Sequence, residues 1–308
     1  MSPKRVIWIA AIAAVLYIGF AVFIFTNFEL PEMSPSALSL VALAAIVQIG
    51  AKWFFGLLFR ESVRESGGQL RRFSAFKGAL VGAGVARLIP VGGAITPVAM
   101  SWTVRDEADG TTGAGIRTVL LNYAGLLILA GGAVLLARPQ EGASIASVGL
   151  VVSAPFVLIA GVVLMFGSGR LGSLAKYLPG FIRRRLDASV INHMPALESQ
   201  LYIWGRLSLE AAALGLVLFA FGIDANPLQV AAAFGVAQLA GGLPGMPGGM
   251  GITEGALIFI LAAYGFPAAT TITPVLIFRL ISYWLPAALG FMAGGMTFLK
   301  SDAAKAAA

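Results

Sequence analysis

The sequence predicts an all-α, polytopic membrane protein, and three observations carry that prediction. Of its 308 residues 58% are hydrophobic and only 11% are charged, with a mean hydropathy of +0.89. A soluble domain has roughly 45–50% apolar and about 25% charged residues. Several apolar stretches exceed the ~18 residues that read as a spanning helix. The Lys and Arg residues behind the net charge of +7 gather in the connections between those stretches, which argues against a nucleic-acid surface. Alternating strands of ~10 residues, the mark of a membrane β-barrel, are not seen.

Lys4 and Arg5 precede a first span at residues 6–26, and Glu29 and Glu32 follow it. The first span lacks a small-residue cleavage site and reads as a retained anchor. A second span covers 35–59 and leads to a connection rich in Arg and Lys at 60–77. The positive-inside rule puts that connection and the N-terminus in the cytoplasm. Residues 73–104 are too long for one span and too short for two of about 20 residues each. Their middle, Arg87-Leu88-Ile89-Pro90-Val91-Gly92-Gly93, is broken by proline and glycine. Two clear spans follow at 116–137 and 144–167, then a basic connection at 168–195 containing Arg183-Arg184-Arg185. Counting back from that cytoplasmic loop makes 73–104 enter and leave on one side, read as a re-entrant helical hairpin; two full spans in each interrupted segment would give the same termini.

The second half repeats the pattern. Residues 196–221 cross outward, 227–264 form a second interrupted segment, and 271–299 cross back towards Lys300 and Lys305. The interruption reads Gly241-Gly242-Leu243-Pro244-Gly245-Met246-Pro247-Gly248-Gly249-Met250-Gly251-Ile252-Thr253-Glu254. Pro244 and Pro247 lack the N–H a helix needs, and the glycines soften the backbone around them. Such a break is tolerated at membrane depth only when packed in protein or lining a wet cavity. Parity makes this hairpin enter from outside. The expectation is one integral membrane domain over 1–308, with about six full spans, two re-entrant hairpins and both termini cytoplasmic. Its halves are 1–167 and 196–300. Gly92-Gly93-Ala94-Ile95-Thr96 resembles Gly248-Gly249-Met250-Gly251-Ile252-Thr253 with one residue inserted. Paired breaks of this kind suggest an inverted repeat around a midplane site.

The chain has no cysteine and one histidine, His193, so disulfides, thiolate chemistry and a His-based metal cluster are excluded. No phosphate loop of the Walker type is present. No catalytic constellation, metal or cofactor is expected, and the chain reads as a non-enzyme. The expected substrate-binding residues are Arg87, Pro90, Gly92 and Gly93 from the first break. From the second half they are Pro247, Gly248, Gly249, Gly251, Glu254 and Arg279. A returning half-helix offers unpaired N–H groups and partial positive charge at its start. Two such ends, with Arg87 and Arg279, would suit an anion. Arg279 lies well inside its span and needs a partner there; Glu254 is the obvious one. Arg206 and Glu210, four residues apart, read as a self-satisfied pair. Lys52 is expected to snorkel to the cytoplasmic surface, and Asn122 to make an interhelical hydrogen bond.

The run Leu243–Glu254, with its Pro-Gly-Gly-x-Gly-x-x-Glu core, and the later Arg279-Leu280-Ile281-Ser282-Tyr283-Trp284 resemble the lysylphosphatidylglycerol synthase transmembrane-region family. The pattern of spans is compatible over nearly the full chain; the first break matches the family's N-terminal Pro/Gly motif only in part. The resemblance implies a flippase-like module without the soluble aminoacyltransferase domain of two-part members. It implies an inner-membrane protein that moves a phospholipid or polyprenyl-phosphate head group through a midplane site. An ion-coupled small-solute transporter and a non-transporting partner of a lipid-modifying enzyme are the rival readings. The implied partners are a membrane lipid and such an enzyme, with self-association left open and no nucleic acid.

Overall fold

The computed structural model describes residues 33–88, 92–109, 111–139, 145–166, 194–242 and 247–294. Every regular element among them is helical. In chain order these are α1 (Pro35–Glu65), α2 (Arg72–Leu88), α3 (Gly92–Val104), α4 (Thr111–Ala137), α5 (Ile145–Phe166), α6 (Leu197–Ala220), α7 (Pro227–Gly241), a 3₁₀ turn (Pro247–Gly249), α8 (Ile252–Ala263) and α9 (Ala268–Arg279). A π turn at Leu280–Trp284 follows α9 without a break, and the whole apolar segment Ala268–Gly294 is long enough to span. Five described segments have the length and hydropathy to cross a membrane. They correspond to the second to sixth predicted spans. The first predicted span, most of the basic 168–195 connection and Pro90 lie outside the described residues.

Local chemistry sets the helix starts. Ser34 caps α1 by accepting the Ala37 N–H at 3.2 Å, with Pro35 in the first turn, where its missing N–H costs nothing. Asn226 caps α7 through a reciprocal capping box with Gln229, again followed by proline. Prolines inside α3, α5 and α9 (Pro97, Pro155, Pro274) are compatible with membrane helices, where neighbours re-satisfy the freed carbonyls. Small residues let the spans approach. Gly131 and Gly161 face the backbones of Ala154–Leu158 and Ile128 at the α4–α5 crossing, and Gly235 faces Ala130 where α7 meets α4. The far face of α5 exposes Val152, Phe156, Ile159 and Val163, the surface expected against hydrocarbon.

The two interrupted segments are both helical hairpins. α2 and α3 pack on each other, as do α7 and α8. The base of the α2–α3 hairpin is closed by Ser74 Oγ donating to Glu107 Oε1 at 2.5 Å. Arg60 Nε donates to the Leu70 carbonyl at 2.9 Å, tying the base to α1. At the same end, Glu65 pairs with Arg117 of α4 at 2.6 Å and accepts the Ala196 N–H that opens α6 at 3.2 Å. The hairpin therefore starts and finishes where α1 ends. α6 then runs 24 residues, about 36 Å at 1.5 Å per residue, before the second hairpin begins. The two hairpins approach from opposite ends of the bundle.

Candidate functional site

The hairpin tips meet against α9 and its π turn. The 3₁₀ turn of the second tip packs on α2 and α3, and Gly84 of α2 faces Gly290 beyond the π turn. Tyr283 is the hub. It is 2% exposed, and its hydroxyl donates to the Arg87 carbonyl at 3.2 Å. The Arg87 guanidinium lies 5.0 Å from its ring centroid and that of Arg279 lies 4.7 Å away. Two arginines from different halves thus share one aromatic ring, where each gains a cation–π attraction.

Arg87 lies in the last turn of α2 and donates to carbonyls. Its Nη1 donates to Ala83 at 2.6 Å and its Nη2 to Ser282 at 3.0 Å. Ser282 lies within the π turn, a local swelling frequent at functional sites. Arg279, the last residue of α9, holds the second tip. Its Nε donates to Glu254 Oε1 at 2.7 Å, with side chains 6% and 12% exposed, and its Nη2 reaches the Gly248 carbonyl at 3.4 Å. The ion pair foreseen from sequence is present. Glu254 occupies the first turn of α8, so that positive helix end faces the chain's own carboxylate. The other carboxylate oxygen, Oε2, is buried with no partner among the described residues.

Backbone conformation explains the glycines of the second tip. Gly248 and Gly249 have φ of +57° and +68°, the left-handed region that favours glycine. A side chain at Gly248 would collide with the Tyr283 ring, and a Cβ on Gly249 would sit 2.5 Å from the Gly241 carbonyl oxygen. Gly251, with φ +78°, starts α8 without a side-chain cap. Pro247 opens the 3₁₀ turn. In the first hairpin, Gly92 and Gly93 form the start of α3 itself.

Two charged positions differ from the sequence reading. Lys52 does not reach the surface; it is 6% exposed and its Nζ pairs with Glu210 Oε1. The reason is helix length. α1 continues through the charged stretch to Glu65, which leaves Lys52 some 20 Å from that end. Arg206 and Glu210 do pair, at 3.1 Å, but they share the carboxylate with Lys52 and with Gln48 Nε2 at 3.4 Å. The Asn122 amide oxygen is buried and finds no partner among the described residues. No group of three His, Cys, Asp or Glu side chains that could hold a metal occurs among the described residues.

A polytopic α-helical membrane protein with two opposed helical hairpins and a buried, arginine-lined junction is the class that this architecture defines. The chain belongs to the lysylphosphatidylglycerol synthase TM region family, whose model matches residues 7–290. Two curated relatives from Methanothermobacter thermautotrophicus, each named "UPF0104 membrane protein", are 34% identical over 85 residues and 35% identical over 82. The matches cover 28% and 27% of this chain and 25% of each relative, so the chain spans about a quarter of the length of those relatives. No solved structure matches it.

Proposed function

We propose that the protein is a lipid translocase, which moves a phosphate-bearing head group across the inner membrane through the junction of the two hairpins. The observation that carries this reading is the shared Tyr283 ring, which holds Arg87 and Arg279 together beside the tip that bears Glu254. Arg279 is held by Glu254, and Arg87 donates to the carbonyls of Ala83 and Ser282. A lipid phosphate recruits both guanidiniums through charge-assisted hydrogen bonds. Glu254, relieved of Arg279, then takes a cationic or hydroxyl group of the same head. The acyl chains stay in the bilayer throughout. Opening between the hairpins and α9 towards one face and then the other carries the head group. The Glu65 end is the cytoplasmic one in this scheme, with both chain termini on that side. The protein catalyses no covalent step.

The test is scrambling of fluorescent phospholipid in proteoliposomes. Arg279→Ala and Glu254→Gln, each purified folded, should slow it at least tenfold, which is about 1.4 kcal/mol or more in the barrier. Wild-type rates in both variants would remove the pair from the mechanism.

A further inference from the structure

The base of the first hairpin holds a cavity that the junction does not use. α2 runs 17 residues from this base to the tip, about 25 Å at 1.5 Å per residue, so the two places are separate. The cavity has a volume of about 810 Å³, within the range of roughly 300–1,000 Å³ that holds small ligands. Arg60 and Arg64 of α1, Arg71 just before α2, and Asp106 and Glu107 just after α3 stand in its wall. Arg64 is spent on Glu61, to which its Nε donates at 2.9 Å. Arg60 uses Nε alone, on the Leu70 carbonyl at 2.9 Å, which leaves the donors of both Nη groups. Neither Arg60 nor Arg71 has an ion pair among the described residues. Glu107 accepts from Ser74, and Asp106 lies 3.6 Å from Arg105 in an exposed pair, which is worth little. The cavity therefore holds spare guanidinium donors and spare carboxylate oxygens that do not reach one another.

The depth of the cavity says what could bridge them. The apolar run of α1 stops at Phe59, one residue before Arg60. Phe73, two residues after Arg71, is 70% exposed, and Trp102, four residues before Asp106, is 37% exposed. The Phe73 ring lies 6.3 Å from Phe76, which lies 5.2 Å from Trp53 of α1, and the Arg105 guanidinium lies 5.6 Å from the Trp102 ring centroid. Outward-facing aromatic rings beside arginines, where an apolar run ends, are the composition of the head-group layer of a bilayer. We infer that this cavity seats the head group of a bilayer lipid carrying both a phosphate and an amine, a phosphoethanolamine lipid being the simplest. Its phosphate takes the free donors of Arg60 and Arg71 in charge-assisted hydrogen bonds. Its ammonium faces Asp106 and Glu107. A phosphate without the amine would meet those two carboxylates with nothing to offset them. The inference goes beyond the translocase reading and does not depend on it, because binding at this base needs no transport.

A bimane fluorophore on Gln69→Cys, in the wall of this cavity and on the only thiol of the chain, reads its occupancy apart from the junction. The labelled full chain in detergent is titrated with phosphatidylethanolamine, with phosphatidylglycerol of the same acyl chains, and with glycerophosphoethanolamine, which has no acyl chain. Phosphatidylethanolamine should bind most tightly. Arg60→Gln and Arg71→Gln should each weaken both lipids about fivefold, the loss of one charge-assisted contact at a partly exposed site. Arg71 is exposed and its side chain makes no hydrogen bond among the described residues, so Arg71→Gln covers the case in which Arg60→Gln fails to fold. Glu107→Gln keeps an acceptor for Ser74 and should weaken phosphatidylethanolamine about threefold, with phosphatidylglycerol held at least as tightly as before. Wild-type affinity in both arginine variants would overturn the inference. So would a Glu107→Gln variant that weakens both lipids alike or neither. Glycerophosphoethanolamine binding as tightly as phosphatidylethanolamine would assign the cavity to a soluble ligand and overturn the lipid assignment. Binding here without lipid scrambling would count against translocation alone, and scrambling without binding here would count against this inference alone.

Discussion

Hairpin α2–α3 and hairpin α7–α8 carry related glycine and threonine patterns but close by different means. In the first, a glycine on one arm admits side chains of the other: a Cβ at Gly82 would lie 2.7 Å from Met100 Cγ and 3.2 Å from Thr96 Cγ2. In the second the arms touch backbone to backbone, with Gly249 against Gly241. The return helices differ too. α3 begins at the first glycine of its pair, Gly92, whereas α8 begins at Ile252, after Gly248, Gly249 and Gly251 have passed through positive φ. The first hairpin thus carries Arg87 in the last turn of its outgoing arm. In the second, three glycines hold positive φ at the start of the return arm, and its only carboxylate is held by the arginine of the next helix. What differs is tolerance: the atoms facing Gly249 are backbone, which cannot move aside as the Met100 side chain facing Gly82 can.

The substitution with the largest expected effect tests that rigidity through charge. Arg279→Ala leaves Glu254 buried without its partner and should cost roughly 3–5 kcal/mol, read as a lowered unfolding midpoint in detergent. Adding Glu254→Gln should return part of that loss; a double variant no better than the single would show that the pair is not what holds the tip. Gly249→Ala comes next. Strain at positive φ together with the backbone collision should cost about 3 kcal/mol. Arg87→Ala removes two hydrogen bonds to carbonyls and a contact with the Tyr283 ring, so a smaller cost of about 1.5–3 kcal/mol is expected. The mildest is Gly82→Ala, at about 1 kcal/mol, because the Met100 side chain can move. If Gly82→Ala proved as damaging as Gly249→Ala, the contrast between the hairpins would be wrong.

Much of this arrangement was legible in the sequence because its cause is compositional. Proline and glycine within an apolar run force a break, and in both interrupted segments the helices on either side of the break pack on each other. The same reasoning found the Glu254–Arg279 pair, since a deep arginine needs an acid. Tyr283 was not found. Its role depends on the π turn, and Leu280-Ile281-Ser282-Tyr283-Trp284 reads as plain apolar helix with nothing to mark the swelling. Lys52 was misplaced for a related reason. The apolar stretch stops near Phe59, but the helix does not, because Glu61 is held by Arg64 and Glu65 by Arg117. Those ion pairs let charged residues continue the helix, which buries Lys52 a dozen residues deep. Hydropathy sees the end of the oil and cannot see the end of the helix.

The most direct measurement uses the absence of cysteine from the chain, which makes every introduced thiol a unique reporter. Gln69 and Asp106 are exposed at the base of the first hairpin, and Asp224 and Ala268 are exposed at the base of the second. Each would be replaced singly by cysteine and labelled in intact cells and in inverted vesicles with a membrane-impermeant maleimide. Opposed hairpins predict that Gln69→Cys and Asp106→Cys label only in inverted vesicles, and that Asp224→Cys and Ala268→Cys label only in intact cells. Labelling that splits the two flanks of either hairpin between faces would mean that it crosses the bilayer outright, and a junction of two tips at mid-depth could not exist.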